Sequence, residues 1–274
     1  MDTHKTAVIG GGNMGSSIIK GMVKQGRAAS DILLVEISDA RREEMKTTYT
    51  ILTSGEIESS IAEYEVIVIA VKPTDVAAVL EKLSSIVTDK NLLISVAAGV
   101  TLSYMEAILK KRVPLIRTMP NIAAQVGEAA VALCPNSAVS DTALGIARTT
   151  MESIGRTIIV EEHALDAVTG LSGSGPAFVF LMIEAMSDGG VLMGLPRNEA
   201  QKLAVQTVYG AASFLRDTDL HPGVAIEKVT SPGGTTIEGM LHLEKAGFKG
   251  LVMEAVKRAT EKSKSIGEQF LAGG

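Results

Sequence analysis

The feature that most constrains this 274-residue chain is Gly10-Gly11-Gly12-Asn13-Met14-Gly15, placed between a β-branched run, Thr6 to Ile9, and a helical pattern ending near Gly26. Glycines spaced Gly-x-Gly-x-x-Gly between a strand and a helix suit the binding of a dinucleotide. The first makes the tight turn, the second lets a pyrophosphate approach the backbone, and the third lets the helix pack close to the sheet. The helix N-terminus then offers free N–H groups and the positive end of its dipole. The spacing alone is a weak signal; strand, turn and helix in sequence make it specific. Gly10, Gly12, Asn13, Met14 and Gly15 are therefore expected to bind cofactor.

The rest of the first half repeats this alternation. Val66 to Ala70 reads as a strand buried on both faces and Leu92 to Val96 repeats the theme, while Ile32 to Glu36 and Leu115 to Thr118 are the other strand-like runs. Between them lie a helix capped by Ser38 and running through Lys46, one capped by Thr74, and one from about Leu102 to Lys110. Ala129 to Leu133 and Thr157 to Val160 are expected to extend the sheet, with a helix from Ser140 to Ser153 between them. Strand and helix alternating at this spacing specify a doubly wound parallel sheet. After about residue 160 the patterning turns helical: Ala177 to Met193, Asn198 to Leu215, Thr235 to Ala246 and Leu251 to Ile266. The expected fold is thus α/β, a Rossmann-type dinucleotide-binding domain over residues 1–161 followed by an all-helical domain over 162–274. The segment from Ala177 is apolar nearly all round, and so small a domain has little interior to bury it. A second subunit is expected to cover it.

Two strand ends extend the cofactor reading. Glu36 closes the second strand, where an acid can accept hydrogen bonds from the adenosine ribose and would repel a 2′-phosphate. That favours NADH. Arg41 and Arg42 follow closely, either serving a 2′-phosphate or lying on a solvated face beside Glu43 and Glu44, so NADH and NADPH both stay open. Ala70-Val71-Lys72-Pro73 and Ala97-Ala98-Gly99 sit at the carboxyl ends of two further strands, where open α/β sheets bind ligands. Ordinary strand-end packing is the alternative for each.

Two glycine-rich, hydroxyl-bearing segments open helices in the second half, Leu171 to Ala177 and Ser231 to Thr236. Each offers N–H groups that suit a small carboxylate, or else is simply a turn and cap. Acid–base machinery is scarce. His4, His163, His221 and His242 lack metal-ligand spacing, and Cys134 reads as a packing residue. No metal is expected. Hydride transfer to an activated carbon, which relies on positioning more than on a strong base, suits such a chain.

Composition excludes several classes. Aromatics are 3% with no Trp, which disfavours ring-stacking surfaces for sugars or nucleic acid. A net charge of −5 disfavours nucleic acid and anionic membranes. The apolar stretches Val66 to Val71 and Leu92 to Val100 are far shorter than the roughly 20 residues that span a bilayer. The polar opening residues do not resemble a signal peptide, and a cytoplasmic enzyme with no membrane partner is expected.

The sequence resembles the pyrroline-5-carboxylate reductase family along essentially its whole length. The matching pieces are Gly-Gly-Gly-Asn-Met-Gly (10–15), Ala-Val-Lys-Pro (70–73), Ser-Val-Ala-Ala-Gly-Val (95–100), Arg-Thr-Met-Pro-Asn (117–121), Val-Thr-Gly-Leu-Ser-Gly-Ser-Gly-Pro-Ala (168–177), Asp-Gly-Gly-Val-Leu-Met-Gly-Leu-Pro-Arg (188–197) and His-Pro-Gly through Ser-Pro-Gly-Gly-Thr-Thr (221–236). The resemblance implies reduction of the imino acid L-Δ1-pyrroline-5-carboxylate to L-proline by NADH or NADPH. It also implies a helical homodimer that often assembles into a decamer. It places substrate contacts at Glu162, Asp219, Ser231, Gly233, Gly234, Thr235 and Thr236; the chemistry of that substrate then makes Thr236 and Ser231 the expected catalytic residues, and Asn121 is expected in the cofactor site. Asp219 stands where some relatives have Glu, and Ile122-Ala123 where the family usually has Thr-Pro. The second change removes a hydroxyl and a rigid turn beside the nicotinamide position. The alternatives are a β-hydroxyacid dehydrogenase and a non-catalytic dinucleotide-binding paralogue. The former needs a catalytic Lys on a second-domain helix, and none lies between Ala177 and Arg197.

Overall fold

The computed structural model describes residues 4–272, with side chains through residue 268. Its strands and helices are β1 (Thr6–Ile9), α1 (Asn13–Lys24), β2 (Ile32–Val35), α2 (Asp39–Tyr49), β3 (Leu52–Ser54), β4 (Val66–Ile69), α3 (Val76–Ser84), β5 (Leu92–Ser95), α4 (Leu102–Leu109), β6 (Leu115–Met119), β7 (Ala129–Pro135), α5 (Asp141–Met151), β8 (Gly155–Ile159), α6 (Leu165–Val168), α7 (Gly175–Leu192), α8 (Arg197–Thr218), α9 (Pro222–Val229), α10 (Thr235–Lys245) and α11 (Phe248–Ala272). The strands form one sheet in the order β3-β2-β1-β4-β5-β6-β7-β8.

Alternate residues of each central strand enter opposite cores, so the strands read as unbroken apolar runs. Ala7, Ile9, Ile67, Ile69 and Leu93 meet Val76, Leu80 and Leu83 of α3 and Met105 and Leu109 of α4. Val8, Val66, Val68, Leu92 and Ile94 meet Ile18, Ile19 and Met22 of α1 and Ala147 and Met151 of α5 on the other face. The doubly wound sheet expected from the sequence is present.

Its parallel run stops at β6. β7 pairs with β6 antiparallel, and β8 then pairs with β7 in parallel. The connection Pro120–Glu128 is too short for a crossover, which needs a dozen or more residues, so the chain can only double back. β8 follows the helical crossover α5 and keeps the sense of β7. Thr74 does not cap α3. It lies inside a 3-10 turn, Pro73–Asp75, and its hydroxyl pairs with Asp75 Oδ1 at 3.3 Å. Pro73, with its fixed φ, starts that turn two residues earlier than a Thr74 cap would.

By its contacts the chain divides into two compact units, the residues through Gly173 together with those from Ala259 onward, and Ser174–Arg258. The segment after Glu162 stays with the sheet. Leu165 is buried in the α3–α4 core, and Ser263 donates to Asp166 Oδ1 at 2.7 Å. The Ser174–Arg258 unit holds α7, α8, α9 and α10 and the first part of α11. Among its described residues only Ser187, Ala200 and Ala204 are buried. Phe180 and Leu181 of α7, Leu203 and Tyr209 of α8, and Leu251 and Met253 of α11 are exposed within the single chain.

Candidate active site

The three glycines of the Gly-x-Gly-x-x-Gly spacing after β1 differ in what surrounds them. Gly10 has a φ of +102°, and a Cβ there would meet Ala70 O at 2.6 Å. At Gly15 a Cβ would stand 2.0 Å from Gly10 O. A Cβ at Gly12, by contrast, would meet nothing within 4 Å. Two glycines thus serve close packing of turn, helix and neighbouring strand, and the third leaves room above the loop. α1 begins at Asn13 with no side-chain cap, so its first N–H groups are left for another acceptor.

A cavity of about 370 Å³ opens beside this loop, at the carboxyl ends of β1, β2 and β4. It is lined by Gly10, Gly12, Glu36, Ala70, Val71 and Lys72. β1 is the strand from which the order runs outward both ways, the switch point at which such sheets bind ligands. Glu36 is held on both oxygens: Oε2 accepts from Gly11 N–H at 2.7 Å and Oε1 from Ser38 N–H at 2.9 Å. Pro73 begins the 3-10 turn that follows Lys72.

A second cavity, of about 300 Å³, lies on the other side of the loop and is lined by Asn13, Met14, Met119, Pro120, Asn121 and Ile122. Asn121 is engaged at both ends of its amide. Oδ1 accepts from Ala123 N–H at 3.2 Å, capping the 3-10 turn Ile122–Val126, and Nδ2 donates to Ser172 O at 3.0 Å. Ile122-Ala123 is expected to cost the chain a rigid turn, yet a turn is present here. The Ala123 amide supplies the N–H that holds it, which a proline has none of. Of the expected residues after β5, Ala97 is buried, Ala98 is exposed and Gly99 turns the chain with a φ of +78°.

Glu162 lies just after β8, and its Oε1 accepts from Leu102 N–H at the head of α4 (2.7 Å) and from Arg117 Nη1 (2.9 Å). The expected substrate contact is therefore also a brace between β6, α4 and the chain leaving the sheet. Cys134 faces Arg117 across the β6–β7 ladder. Burial, then the Glu162 carboxylate, push its thiol up to about 11 against the opposing Arg117 charge. Only about one thiol in ten thousand is then ionised at neutral pH. The native protein should resist disulfide-exchange reagents at neutral pH and react promptly once denatured. Fast labelling of the native state would contradict this account of Cys134.

The segment expected to open α7 as a carboxylate-binding loop is wound instead. Thr169–Gly173 forms a π turn running toward α7. Thr169 Oγ1 donates to Leu165 O (2.8 Å) and Ser172 Oγ to Val168 O (3.0 Å). Hydroxyls bonding back to the preceding turn in this way bend a helix locally, which accords with the π turn here. The second segment is an open turn. Ser231 O accepts from Gly234 N–H at 3.0 Å, Gly233 has a φ of +67°, and α10 starts at Thr235 without a side-chain cap. Thr235 and Thr236 are exposed in its first turn. Ser231, Gly233, Gly234, Thr235 and Thr236 are thus one local structure, whereas Asp219 is the left-handed residue ending α8.

Sheet order, glycine loop and the acid at the end of β2 define the class: a Rossmann-type dinucleotide-binding protein with an appended helical region. The residues present fit a nicotinamide dinucleotide, since the loop leaves open space at Gly12 beside an uncapped helix N-terminus. The family model described as pyrroline-5-carboxylate reductase dimerisation matches residues 162–266, and one described as NADP oxidoreductase coenzyme F420-dependent matches residues 5–99. The pyrroline-5-carboxylate reductase of Methanosarcina acetivorans is 41% identical over 270 residues, covering 98% of this chain and 100% of that one. The structure of a pyrroline-5-carboxylate reductase from Coxiella burnetii superimposes with a TM-score of 0.94 at 32% identity, covering 97% of this chain and 99% of that one. That of the Plasmodium falciparum pyrroline carboxylate reductase, with NADP bound, gives 0.83 at 30% identity with the same coverage. The chain belongs to the pyrroline-5-carboxylate reductase family.

Proposed function

We propose that this protein reduces L-Δ1-pyrroline-5-carboxylate to L-proline with a reduced nicotinamide dinucleotide as hydride donor. The observation that carries the reading is the Ser231–Thr236 turn at the uncapped head of α10, inside the region matched by the family's dimerisation model. The N–H groups of Gly233 to Thr236, aided by the helix dipole, suit the substrate carboxylate. The Thr236 hydroxyl accepts from the ring N–H of the protonated imine and so holds the electrophilic carbon in place. Ser231, whose side chain crowds Gly234, keeps the turn in shape. Asp219 and Glu162 complete the substrate side, Glu162 by bracing β6 and α4. When bound, the dinucleotide supplies a hydride from its reduced ring. Gly10, Gly12, Asn13, Met14 and Gly15 seat its pyrophosphate, Glu36 and Ala70 to Pro73 its adenosine half, and Ala97 to Gly99 and Asn121 border its nicotinamide half.

The functional boundary in this reading lies at Glu162, where the dimerisation match begins. The protein works as a homodimer able to assemble further, to a decamer, in the cytoplasm, without nucleic-acid or membrane partners. One helical run, Glu162–Leu192, is long and apolar enough to cross a bilayer, a length the apolar stretches of the sequence alone did not suggest. Its place inside the dimerisation match, and the further exposed apolar residues on α8 and α11, support a subunit interface as its environment.

Purified protein given pyrroline-5-carboxylate and NADH or NADPH should lose dihydronicotinamide absorbance and form proline. No turnover with either cofactor would overturn the reading. Thr236→Ala should lower kcat by about tenfold or more, the worth of one hydrogen bond to a charged group, with little change in stability because the side chain is exposed. The wild-type rate should fall as pH rises through the titration of the iminium, because the neutral imine is a poor hydride acceptor. An unchanged kcat in the variant would remove Thr236 from the chemistry, and a flat pH profile would remove the iminium.

A further inference from the structure

We infer that Glu36 makes this protein select the dinucleotide with a free 2′-hydroxyl, NADH, over its 2′-phosphorylated counterpart. The inference rests on the reading above that a nicotinamide dinucleotide occupies the switch point of the sheet, and it goes further by naming which one. Sequence alone leaves the choice open, because Arg41 and Arg42 stand close enough to Glu36 in the chain to serve a phosphate. The geometry closes it in three steps.

The first is position. Glu36 follows β2 and lines the cavity shared with Gly10 and Gly12, on the side where the adenosine ribose of a dinucleotide seated on this loop lies. The second is fixation. With Oε2 on the Gly11 N–H and Oε1 on the Ser38 N–H, the carboxylate is tied at two points of the backbone. A Cβ at Gly11 would come within 3.2 Å of Oε2, so the acid lies directly against the phosphate loop. A side chain held this way cannot swing aside for a dianion without breaking both bonds.

The third is the state of the arginines. Arg41 donates through Nε to Gly11 O (2.7 Å) and pairs through Nη1 with Glu44 (2.6 Å). Arg42 donates through Nη1 to Glu36 O (2.5 Å) and pairs through Nη2 with Asp39. Both cations are committed to the backbone around Glu36 and to neighbouring acids. Arg41 and Glu36 hold the two backbone polar groups of Gly11 from either side, so turning Arg41 toward a 2′-phosphate would release the phosphate loop. Neither arginine lines the cavity; the cations that do, Lys72 and Lys82, belong to its β4–α3 wall. A ribose diol can donate to the fixed carboxylate, whereas a 2′-phosphate would face it as a like charge.

The test is equilibrium binding to the full-length protein without substrate, read by the fluorescence of bound NADH and NADPH. Competition with adenosine 5′-phosphate and adenosine 2′,5′-bisphosphate isolates the adenosine half. NADH should bind at least roughly tenfold more tightly than NADPH, as a juxtaposed like charge implies. Adenosine 5′-phosphate should likewise compete better than the bisphosphate. Glu36→Gln keeps an acceptor but removes the charge, and should bring the two dinucleotides to within about threefold, mainly by tightening NADPH. Equal or tighter NADPH binding by the wild type would overturn the inference. So would a Glu36→Gln variant that weakens both dinucleotides alike, which would make Glu36 only a brace for Gly11. Absence of turnover with pyrroline-5-carboxylate would strike the proposed reaction and leave these binding ratios standing.

Discussion

Gly15→Ala should abolish dinucleotide binding and unsettle the sheet, while Gly12→Ala should abolish most of the binding and leave stability almost untouched. The two glycines are three residues apart and differ in what a methyl group would meet. At Gly15 it would fall 2.0 Å from Gly10 O and 3.3 Å from Ala70 Cβ. The first obstacle is backbone, which no rotamer change can clear. Relief requires α1 to move off β1, and with it Ile18, Ile19 and Met22, which are packed into the core on that face. Overpacking of this kind costs about 1–3 kcal/mol or more, several degrees of melting temperature for a domain of this size. The helix N-terminus would also leave the cavity it borders. At Gly12 the backbone has a φ of −66° and nothing lies within 4 Å, so alanine folds there without strain. Its methyl occupies only the space into which a pyrophosphate must come. Thermal melts and dinucleotide titrations on both variants check the pair. A Gly12→Ala protein that binds normally would mean the pyrophosphate does not approach this loop.

That contrast also marks how far the sequence could be read. The loop, its flanking strand and helix, and the acid at Glu36 were legible because each follows from local spacing. The central strands were legible because burial on both faces leaves no polar residue to interrupt them. β3 was not, since three residues at a sheet edge, with Leu52 half exposed, carry no pattern. α9 is only eight residues long, and its cap is His221, whose ring nitrogen accepts from Gly223 N–H, an unusual choice for that position. The reversal of β7 depends on the length of a connection rather than on the residues of the strand.

The candidate site divides in the same way. The turn before α10 was legible because Gly233 takes a left-handed φ, which breaks the helical run between α9 and α10. The similar-looking stretch before α7 is instead wound as a π turn, with Thr169 and Ser172 bonded back to the helical turn before them. Composition is alike in the two segments; what separates them is the backbone, a π turn at Thr169–Gly173 and a left-handed Gly233 in the other. The second roles of Asn121 and Glu162 were out of reach for a different reason. Their partners, Ser172 at one and Arg117 and Leu102 at the other, are brought together only by the folded sheet.

The largest effect is expected from a residue of the helical unit, Leu181. Leu181→Glu should convert the protein to monomers and eliminate activity. Leu181 is 66% exposed in the single chain, so glutamate there removes little intrachain packing, and both residues favour helix. α7 nonetheless carries Val179, Phe180, Leu181, Met186 and Leu192 on its exposed surface, far more apolar area than a solvated helix tolerates. The few buried positions of the Ser174–Arg258 unit, Ser187, Ala200 and Ala204, do not make a core for its helices. Burial against a second copy supplies one, as in obligate homodimers, whose interfaces resemble a domain core cut in half. In a two-fold interface the substitution enters twice. Each unpaired buried charge costs about 3–5 kcal/mol, so the dimer dissociation constant should rise by more than roughly a thousandfold. Light scattering coupled to size exclusion should report a monomer. Circular dichroism should show the sheet unit still folded and the helical unit melting early, because only the latter depends on the partner for its interior. Activity should vanish with the ordered α10 turn even though NADH still binds. A Leu181→Glu protein that stays dimeric would mean that another face of these helices is the one covered.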